Sequence, residues 1–263
     1  MERLRAAFSR LRRSGRKALI PFIMGGDPDL DATAGLIRAL DGGGADVIEI
    51  GVPFSDPLAD GPVIQRASSR ALARGTTPQT LLEMLRAVSA RVSAPIVLLS
   101  YWNPIVQYPA GPFTRSARRA GASGLIVPDL PPEEAHGFRD AAKQSGIATI
   151  FLASPTSSPD RLRRIARASE GFIYYVSLTG TTGVRNRLSS DWRHGVRQLK
   201  LITTKPVCVG FGVSTPRHAA AVARVADGVI VGSALVNTLE AAKGRAELAR
   251  RASQFIRRFR SAL

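Results

Sequence analysis

Residues 19–29 read Leu-Ile-Pro-Phe-Ile-Met-Gly-Gly-Asp-Pro-Asp, a short apolar run that ends in a turn. The apolar part does not alternate with polar residues, which is typical of a strand buried on both faces of a parallel sheet. Its turn lacks the G-x-G-x-x-G spacing that follows the first strand of a dinucleotide-binding Rossmann fold. The aspartates and the proline indicate a tight turn and a helix N-cap instead. The stretch therefore predicts a strand, a turn and a helix.

The same unit recurs along the rest of the chain. Short apolar runs alternate with longer stretches of helical periodicity, which is the pattern of a parallel α/β sheet. The predicted strands are Leu19–Met24, Asp46–Ile50, Ile96–Ser100, Gly124–Val127, Thr149–Leu152, Phe172–Ser177, Val207–Gly210 and Gly228–Val231. Eight units can close into a barrel, whereas a doubly wound sheet usually has fewer strands. We therefore predict an α/β fold, a single (β/α)8 TIM barrel, with an extra N-terminal helix (Arg3–Arg12) and an extra helix after the second strand (Pro78–Arg91).

Length and composition agree with one domain. The 263 residues match the roughly 250 residues of a single barrel, and 44% of them are apolar. We predict that residues 1–263 form a single domain. The one cysteine, Cys208, lies in the apolar run 206–209, so neither an intramolecular disulfide nor a cysteine-based metal site can form. We interpret Cys208 as a core side chain, with a nucleophilic thiol as the alternative, and we predict no metal site.

The sequence gives no indication of export or of membrane insertion. Residues 1–5 are basic, but the next apolar run, 18–24, is short and contains Pro21, which fits a strand better than a signal peptide. No run approaches the ~18 apolar residues of a transmembrane helix. We therefore expect a cytoplasmic protein without a membrane partner.

The formal net charge of +17 comes mainly from arginine, which accounts for 32 of the 37 basic residues. A charge of this size attracts anions, including nucleic acid. Many of the arginines recur at helical spacing on predicted outer helices, as on a solvated face. No nucleic-acid-binding motif accompanies them, so we favour the solvated face and predict no nucleic-acid partner.

A carboxylate stands in the apolar second strand, at Glu49. Side chains of a strand alternate between its faces, so Val47 and Glu49 share one face while Ile48 and Ile50 share the other. If the isoleucines pack on the helices, Glu49 points into the barrel. There it carries a raised pKa suited to proton transfer, or it pairs with an arginine at the rim; the strand alone leaves both open.

The loop after this strand, residues 51–62, contains three prolines, two glycines and two aspartates. Prolines fix φ, so such a loop can hold a side chain in place without secondary structure. We predict that it holds Asp60 near Glu49. The alternative is that Asp60-Gly61 is ordinary turn chemistry.

The last two strands each end in glycine. Strand seven runs into Gly210-Phe211-Gly212, and strand eight runs into Gly232-Ser233 before a helix. In (β/α)8 barrels the loops after strands seven and eight, with a helix N-terminus, commonly bind phosphate. A Gly/Thr loop after strand six adds Gly183. We predict Gly183, Gly212, Gly232 and Ser233 as phosphate ligands; tight turns are the alternative.

Residues 49–65 identify a family. The segment Glu-Ile-Gly-Val-Pro-Phe-Ser-Asp-Pro-Leu-Ala-Asp-Gly-Pro-Val-Ile-Gln resembles the signature of the tryptophan synthase α chain, with twelve or more matching positions within this one segment. The similarity extends over nearly the whole chain. It includes Pro21-Phe22, Gly26-Asp27-Pro28, Tyr101-Trp102-Asn103-Pro104, Pro128-Asp129-Leu130-Pro131, Thr182-Gly183, Gly210-Phe211-Gly212 and Gly232-Ser233.

The resemblance implies a lyase that splits indole-3-glycerol phosphate into indole and D-glyceraldehyde 3-phosphate without a cofactor. It implies that Glu49 shuttles protons at C3 of the indole and at the side-chain hydroxyl, and that Asp60 binds the indole N–H. Tyr174 matches the family tyrosine that orients this aspartate. An apolar indole pocket is expected at matching strand ends, lined by Phe22, Leu99, Ile126, Leu152 and Phe211.

The resemblance also implies a partner, the β subunit of tryptophan synthase, in an αββα heterotetramer. Pyridoxal phosphate is expected only in that β subunit. The residues of this chain that are expected to contact the β subunit are Pro53, Asp56, Pro57, Asn103 and Pro131. Thr181 departs from the apolar residue that many relatives carry in the strand-six loop.

Two alternatives remain at this level. The chain could be a stand-alone lyase that releases free indole, which high activity without any β chain would indicate. It could also be a non-catalytic barrel that acts only as an allosteric partner. The presence of both Glu49 and Asp60 disfavours that second alternative.

Overall fold

A computed structural model gives the structure of the chain and describes residues 1–108, 112–176, 192–210 and 212–263. The strands in this part are β1 Ala18–Met24, β2 Ile48–Gly51, β3 Ile96–Leu99, β4 Ala122–Ile126, β5 Ala148–Ile150, β6 Leu152–Ala153, β7 Ile173–Val176, β8 Val207–Gly210 and β9 Gly228–Val231. They form one parallel sheet in the order β5-β4-β3-β2-β1-β9-β8-β7-β6. The predicted α/β TIM barrel is confirmed.

Helices follow the strands along the chain. Those described are α1 Glu2–Arg13, α2 Leu30–Gly43, α3 Pro62–Ala73, α4 Pro78–Val88, α5 Trp102–Val106, α6 Phe113–Arg119, α7 His136–Gln144, α8 Pro159–Ala168, α9 Trp192–Ile202, α10 Pro216–Ala223, α11 Ser233–Glu240 and α12 Arg245–Arg260, with a 3₁₀ turn at Ser89–Arg91. The extra N-terminal helix and the extra helix after β2 are both present, as α1 and α4. The short helix α5 was not predicted.

The predicted fifth strand is wrong in one detail, because it is divided at Phe151 into β5 and β6. The Phe151 amide donates to the Ser169 hydroxyl at 3.3 Å instead of to a neighbouring strand. Its carbonyl still accepts from the Tyr174 amide at 3.1 Å. Since β5 pairs with β4 and β6 pairs with β7, this one stretch of chain joins the two edges of the sheet.

The core has two layers, as the alternation along each strand requires. Val47 packs inside the barrel with side chains of the other strands. Ile48 and Ile50 pack in the outer layer, between the strands and the helices. The predicted alternation around Glu49 is therefore confirmed.

Helix α1 closes the amino end of the barrel. Leu4, Phe8 and Leu11 recur at helical spacing and pack in the interior layer. The Arg3 guanidinium donates to the Val92 carbonyl at 2.7 Å, and the Met1 amino group donates to the Gly146 carbonyl at 2.8 Å. Because this end is filled, the opposite, carboxyl end of the strands is the place for a site.

The arginines of the outer helices face water. In α8, Arg161, Arg163, Arg164 and Arg167 are exposed, while Leu162 and Ile165 between them are buried. Ion pairs that such exposed arginines form with carboxylates contribute little to the stability of the fold. The predicted solvated face is confirmed on this helix.

Candidate active site

Glu49 lies inside the barrel near the carboxyl end of β2. Its side chain is 1% exposed, and its Oε2 atom has no hydrogen-bond partner among the residues that the structure describes. In register, Glu49 lies beside Phe22 of β1 and Val97 of β3, both apolar. Burial, with a smaller effect of the nearby Asp60 charge, raises the pKa of Glu49 from 4.5 to about 8. This carboxyl group therefore holds its proton at neutral pH.

The loop from Val52 to Gly61 is held by hydrogen bonds at both of its ends. The Ser68 hydroxyl accepts from the Phe54 amide and donates to the Phe54 carbonyl, both at 2.9 Å. At the other end, Gln65 donates from Nε2 to the Asp60 carbonyl at 2.9 Å. The Asp60 amide donates to the Pro57 carbonyl at 3.0 Å. The helix after the loop, α3, thus fixes the position of Asp60.

Asp60 lies close enough to Glu49 for their charges to interact. Burial raises the pKa of Asp60 from 3.8 to about 6, and a hydrogen bond from Tyr101 opposes that rise. At neutral pH Asp60 is mainly ionised, while Glu49 is mainly protonated. The pair therefore offers one acid and one base within a single site.

Two tyrosines lie near the acids. Tyr174 of β7 is buried, and burial together with the charges of Glu49 and Asp60 raises its pKa. Its ring lies against Gly210, where a β-carbon would come within 2.8 Å of it. Tyr101, which follows β3, interacts with Asp60 and was not singled out as a site residue. Its sequence neighbourhood is an apolar strand end, so only the folded arrangement brings it to the aspartate.

The predicted indole pocket residues lie on neighbouring strands. Leu99 and Ile126 are partners in register, and Leu152 is paired with Tyr174. Leu99 and Leu152 are half-buried, whereas Ile126 is 0% exposed and packs wholly inside the barrel. The fifth predicted residue, Phe211, lies outside the described residues.

Phe22 connects the acids to the predicted phosphate end. It is the register partner of Glu49, and a β-carbon built on Gly232 would lie 3.6 Å from it. Gly232 is the N-cap of α11 and Ser233 is its first residue. The first backbone N–H groups of a helix lack partners within the helix, so this end can receive an anion.

Of the two other glycines predicted as phosphate ligands, the structure describes only one. Gly212 has φ +75°, a conformation that favours glycine, in the loop after β8. Gly183, with the rest of the strand-six loop, lies outside the described residues.

The predicted partner residues follow β2, β3 and β4. Asp56 and Asn103 are exposed, Pro57 and Pro131 are half-buried, and Pro53 is buried. Two exposed apolar side chains beside them were not predicted: Leu58 (76% exposed) in the loop after β2 and Val106 (56% exposed) in α5.

Neither a metal cluster nor a membrane span is found in the described part of the chain. No group of three or more His, Cys, Asp or Glu side chains there could hold a metal ion. No described helix has the length and apolar character needed to cross a bilayer.

A parallel barrel with two carboxyl groups of raised pKa near the carboxyl ends of its strands has the architecture of the (β/α)8-barrel enzymes. Comparison with known proteins identifies the family within that class. The family model described as tryptophan synthase alpha chain matches residues 8–263.

Individual relatives agree over most or all of the chain. The tryptophan synthase alpha chain of Geobacter sulfurreducens is 48% identical over 263 residues, which is 100% of this chain and 99% of that one. The tryptophan synthase alpha chain of Rippkaea orientalis is 50% identical over 233 residues, covering 88% and 87% of the two chains.

Solved structures give the same result. Tryptophan synthase subunit alpha from Legionella pneumophila superimposes with a TM-score of 0.88 at 38% identity, covering 99% of this chain and 97% of that chain. A structure of Mycobacterium tuberculosis tryptophan synthase gives 0.89 at 37% identity, covering 98% and 97%. The chain therefore belongs to the tryptophan synthase alpha chain family and is a lyase.

Proposed function

We propose that this chain splits indole-3-glycerol phosphate into indole and D-glyceraldehyde 3-phosphate, with Glu49 and Asp60 as its catalytic residues. Family membership supports the reaction. The observation that carries the residue roles is the pair of acids at the carboxyl end of the strands, where burial separates their pKa values to about 8 and about 6.

The reaction needs two proton transfers that balance each other. Protonated Glu49 gives its proton to C3 of the indole, which makes the ring cationic. The carboxylate then takes the proton of the side-chain hydroxyl as the C3–C bond breaks, and the bonding electrons return to the ring. Glu49 ends the cycle protonated, so neutral indole and an aldehyde leave without any net change in the site.

Asp60 stabilises the indole ring while that ring carries a positive charge. Its ionised carboxylate accepts a hydrogen bond from the indole N–H, which strengthens as positive charge develops on the ring. Since Glu49 must start protonated and Asp60 ionised, the reaction is fastest between the two pKa values. A bell-shaped dependence of kcat/KM on pH is expected, with its limbs near pH 6 and pH 8.

The substrate spans the distance from the acids to α11. Its flat ring occupies the apolar walls formed by Phe22, Leu99 and Leu152, with Ile126 behind them and Phe211 completing the predicted pocket. Its phosphate lies at the α11 N-terminus, on Gly232 and Ser233, with Gly212 and Gly183 as further ligands. Tyr174, which lies beside both acids, orients Asp60 in this proposal, as the family resemblance implies.

A β subunit of tryptophan synthase is the proposed partner, within an αββα heterotetramer in the cytoplasm. Exposed Leu58 and Val106, beside Asp56 and Asn103, support a protein contact at this rim, with Pro53, Pro57 and Pro131 shaping it. The reaction of this chain needs only carboxyl groups, so pyridoxal phosphate is assigned to the β subunit. We propose that residues 1–263 act as one domain.

Glu49→Gln tests the proposed function. Glutamine has the same shape but transfers no proton, so indole formation should fall by about 10²–10⁴-fold while substrate binding is kept. Indole release from indole-3-glycerol phosphate is measured with and without β chain, and Glu134→Gln, an exposed change, serves as control. An active Glu49→Gln protein would contradict the role of Glu49, and an inactive native chain with β chain present would contradict the function.

A further inference from the structure

Tyr101 occupies a fixed place between β3 and α5. Its side chain is 2% exposed, and its ring contacts the ring of Phe54 with centroids 5.5 Å apart. On one side the Ser100 hydroxyl donates to the Tyr101 carbonyl at 3.1 Å. On the other the Trp102 amide donates to the Asp129 carboxylate at 2.9 Å. Backbone and ring are thus both held, so the hydroxyl group has a defined position.

That hydroxyl lies at the end of the loop from Val52 to Gly61. The Ala59 amide donates to the Tyr101 hydroxyl oxygen at 2.9 Å. With that lone pair engaged, the hydroxyl proton is free to be donated, and the acceptor beside it is the Asp60 carboxylate. The hydroxyl group therefore holds the loop directly at Ala59 and lies beside the next residue, Asp60.

We propose that Tyr101 is a positioning residue for the reaction, whose hydroxyl links the Ala59 amide to the Asp60 carboxylate and holds that carboxylate toward the indole N–H. The role rests on the proposed function. It is separate from that of Tyr174, which the family resemblance singled out for the same aspartate.

The electrostatic effect of this link has a definite sign. Hydrogen bonding from Tyr101 lowers the pKa of Asp60 against the rise that burial causes, which leaves the value at about 6. Burial and the Asp60 charge raise the pKa of Tyr101 itself, so the phenol stays protonated and remains a donor at neutral pH. Without the hydroxyl, the pKa of Asp60 rises and the ionised fraction at pH 7 falls.

Tyr101→Phe removes only the hydroxyl and keeps the ring against Phe54. We expect kcat/KM at pH 7 to fall about tenfold, the effect of one hydrogen bond to a charged group. The acid limb of the pH profile should move to higher pH, so that part of the loss is recovered between pH 7 and 8. Tyr108→Phe is the matched control, because Tyr108 packs edge-on against Phe113 in the same segment of chain. It should leave the profile unchanged.

Two further measurements separate this role from a structural one. In an Asp60→Asn background, Tyr101→Phe should cause no additional loss, because both changes remove the same interaction. The Asp60 carboxyl group is also titrated by ¹³C NMR without substrate, and its pKa should be higher in Tyr101→Phe than in the native chain.

An unchanged Asp60 titration, or an equal loss of activity at every pH, would overturn the role of Tyr101. The titration needs no catalysis, so it tests this role even if the native chain fails to cleave the substrate. That failure would overturn the proposed function instead.

Discussion

Glu49 is a carboxyl group whose burial destabilises its ionised form. Its neighbours in register are apolar, and no arginine among the residues that the structure describes is paired with it. An acid kept protonated by its surroundings can deliver a proton at neutral pH. The same burial has a consequence for stability, since the unfolded chain ionises this group freely.

Glu49→Gln should therefore stabilise the fold in alkaline solution. Below pH 4.5 both the folded and the unfolded chain hold the Glu49 proton. Between pH 4.5 and about 8 only the folded chain holds it, so the free energy of unfolding falls as pH rises. Glutamine cannot ionise, so the variant should exceed the native chain by about 2–4 kcal/mol at pH 8 and match it at pH 4. Urea unfolding at both pH values measures the difference.

Exposed Glu134→Gln is the control and should show no such pH-dependent difference. A Glu49→Gln protein as stable as the native chain at pH 8 would show that Glu49 is already ionised in the folded state. Burying an acid lowers the stability of the fold, and such a loss of stability is common at active sites.

Helix α11 is the element that carries the proposed phosphate contact. Its N-cap is Gly232, which supplies no side-chain oxygen to the first N–H groups. Helices α4 and α10 begin differently, because Thr77 and Thr215 accept hydrogen bonds from backbone amides of their own first turns. The open N-terminus of α11 thus suits an external anion.

Ser233→Asp tests α11 as the phosphate site. A carboxylate at the first position of a helix interacts favourably with the helix dipole, so thermal stability should be kept or slightly raised. The same charge should repel the substrate phosphate and raise KM about tenfold or more at low ionic strength. Steady-state kinetics of indole formation measure this, with Ser233→Ala as the uncharged control. If KM rose equally in both variants, repulsion of the phosphate would not be the cause.

At the scale of the whole molecule, the two ends of the barrel serve different purposes. The amino end is closed by α1, and there Arg260, at the end of α12, binds the buried Asp46 carboxylate and the Lys17 carbonyl. The carboxyl end carries the acids and, beside them, the exposed apolar side chains Leu58 and Val106. A protein that docks at this rim would lie next to the loop that holds Asp60.

Leu58→Ser should weaken the association with the β chain. Loss of one well-packed apolar contact costs about 1–2 kcal/mol at an interface, which corresponds to roughly a tenfold rise in Kd. Isothermal titration of the β chain into the α chain measures Kd. Leu201→Ser is the matched control, since Leu201 is 86% exposed near the end of α9, away from the carboxyl-end rim. Equal effects of the two changes would contradict docking at the Leu58 rim.

The local sequence pattern alone was sufficient to predict the barrel and the direction of the Glu49 side chain. Strand and helix periodicities depend on neighbouring residues, so the strands and both extra helices could be predicted, and the alternation of Val47 with Ile48 put Glu49 inside. The motif of residues 49–65 likewise identified the family without coordinates.

Distant contacts had to come from the folded chain. The break at Phe151 depends on Ser169, and the link from Tyr101 to Ala59 and Asp60 joins residues about forty positions apart. Sequence periodicity does not predict such pairs, because the two residues come into contact only when the barrel closes. Burial of Glu49 likewise depends on which side chains surround it, so its raised pKa follows from tertiary packing, whereas its position in β2 follows from sequence.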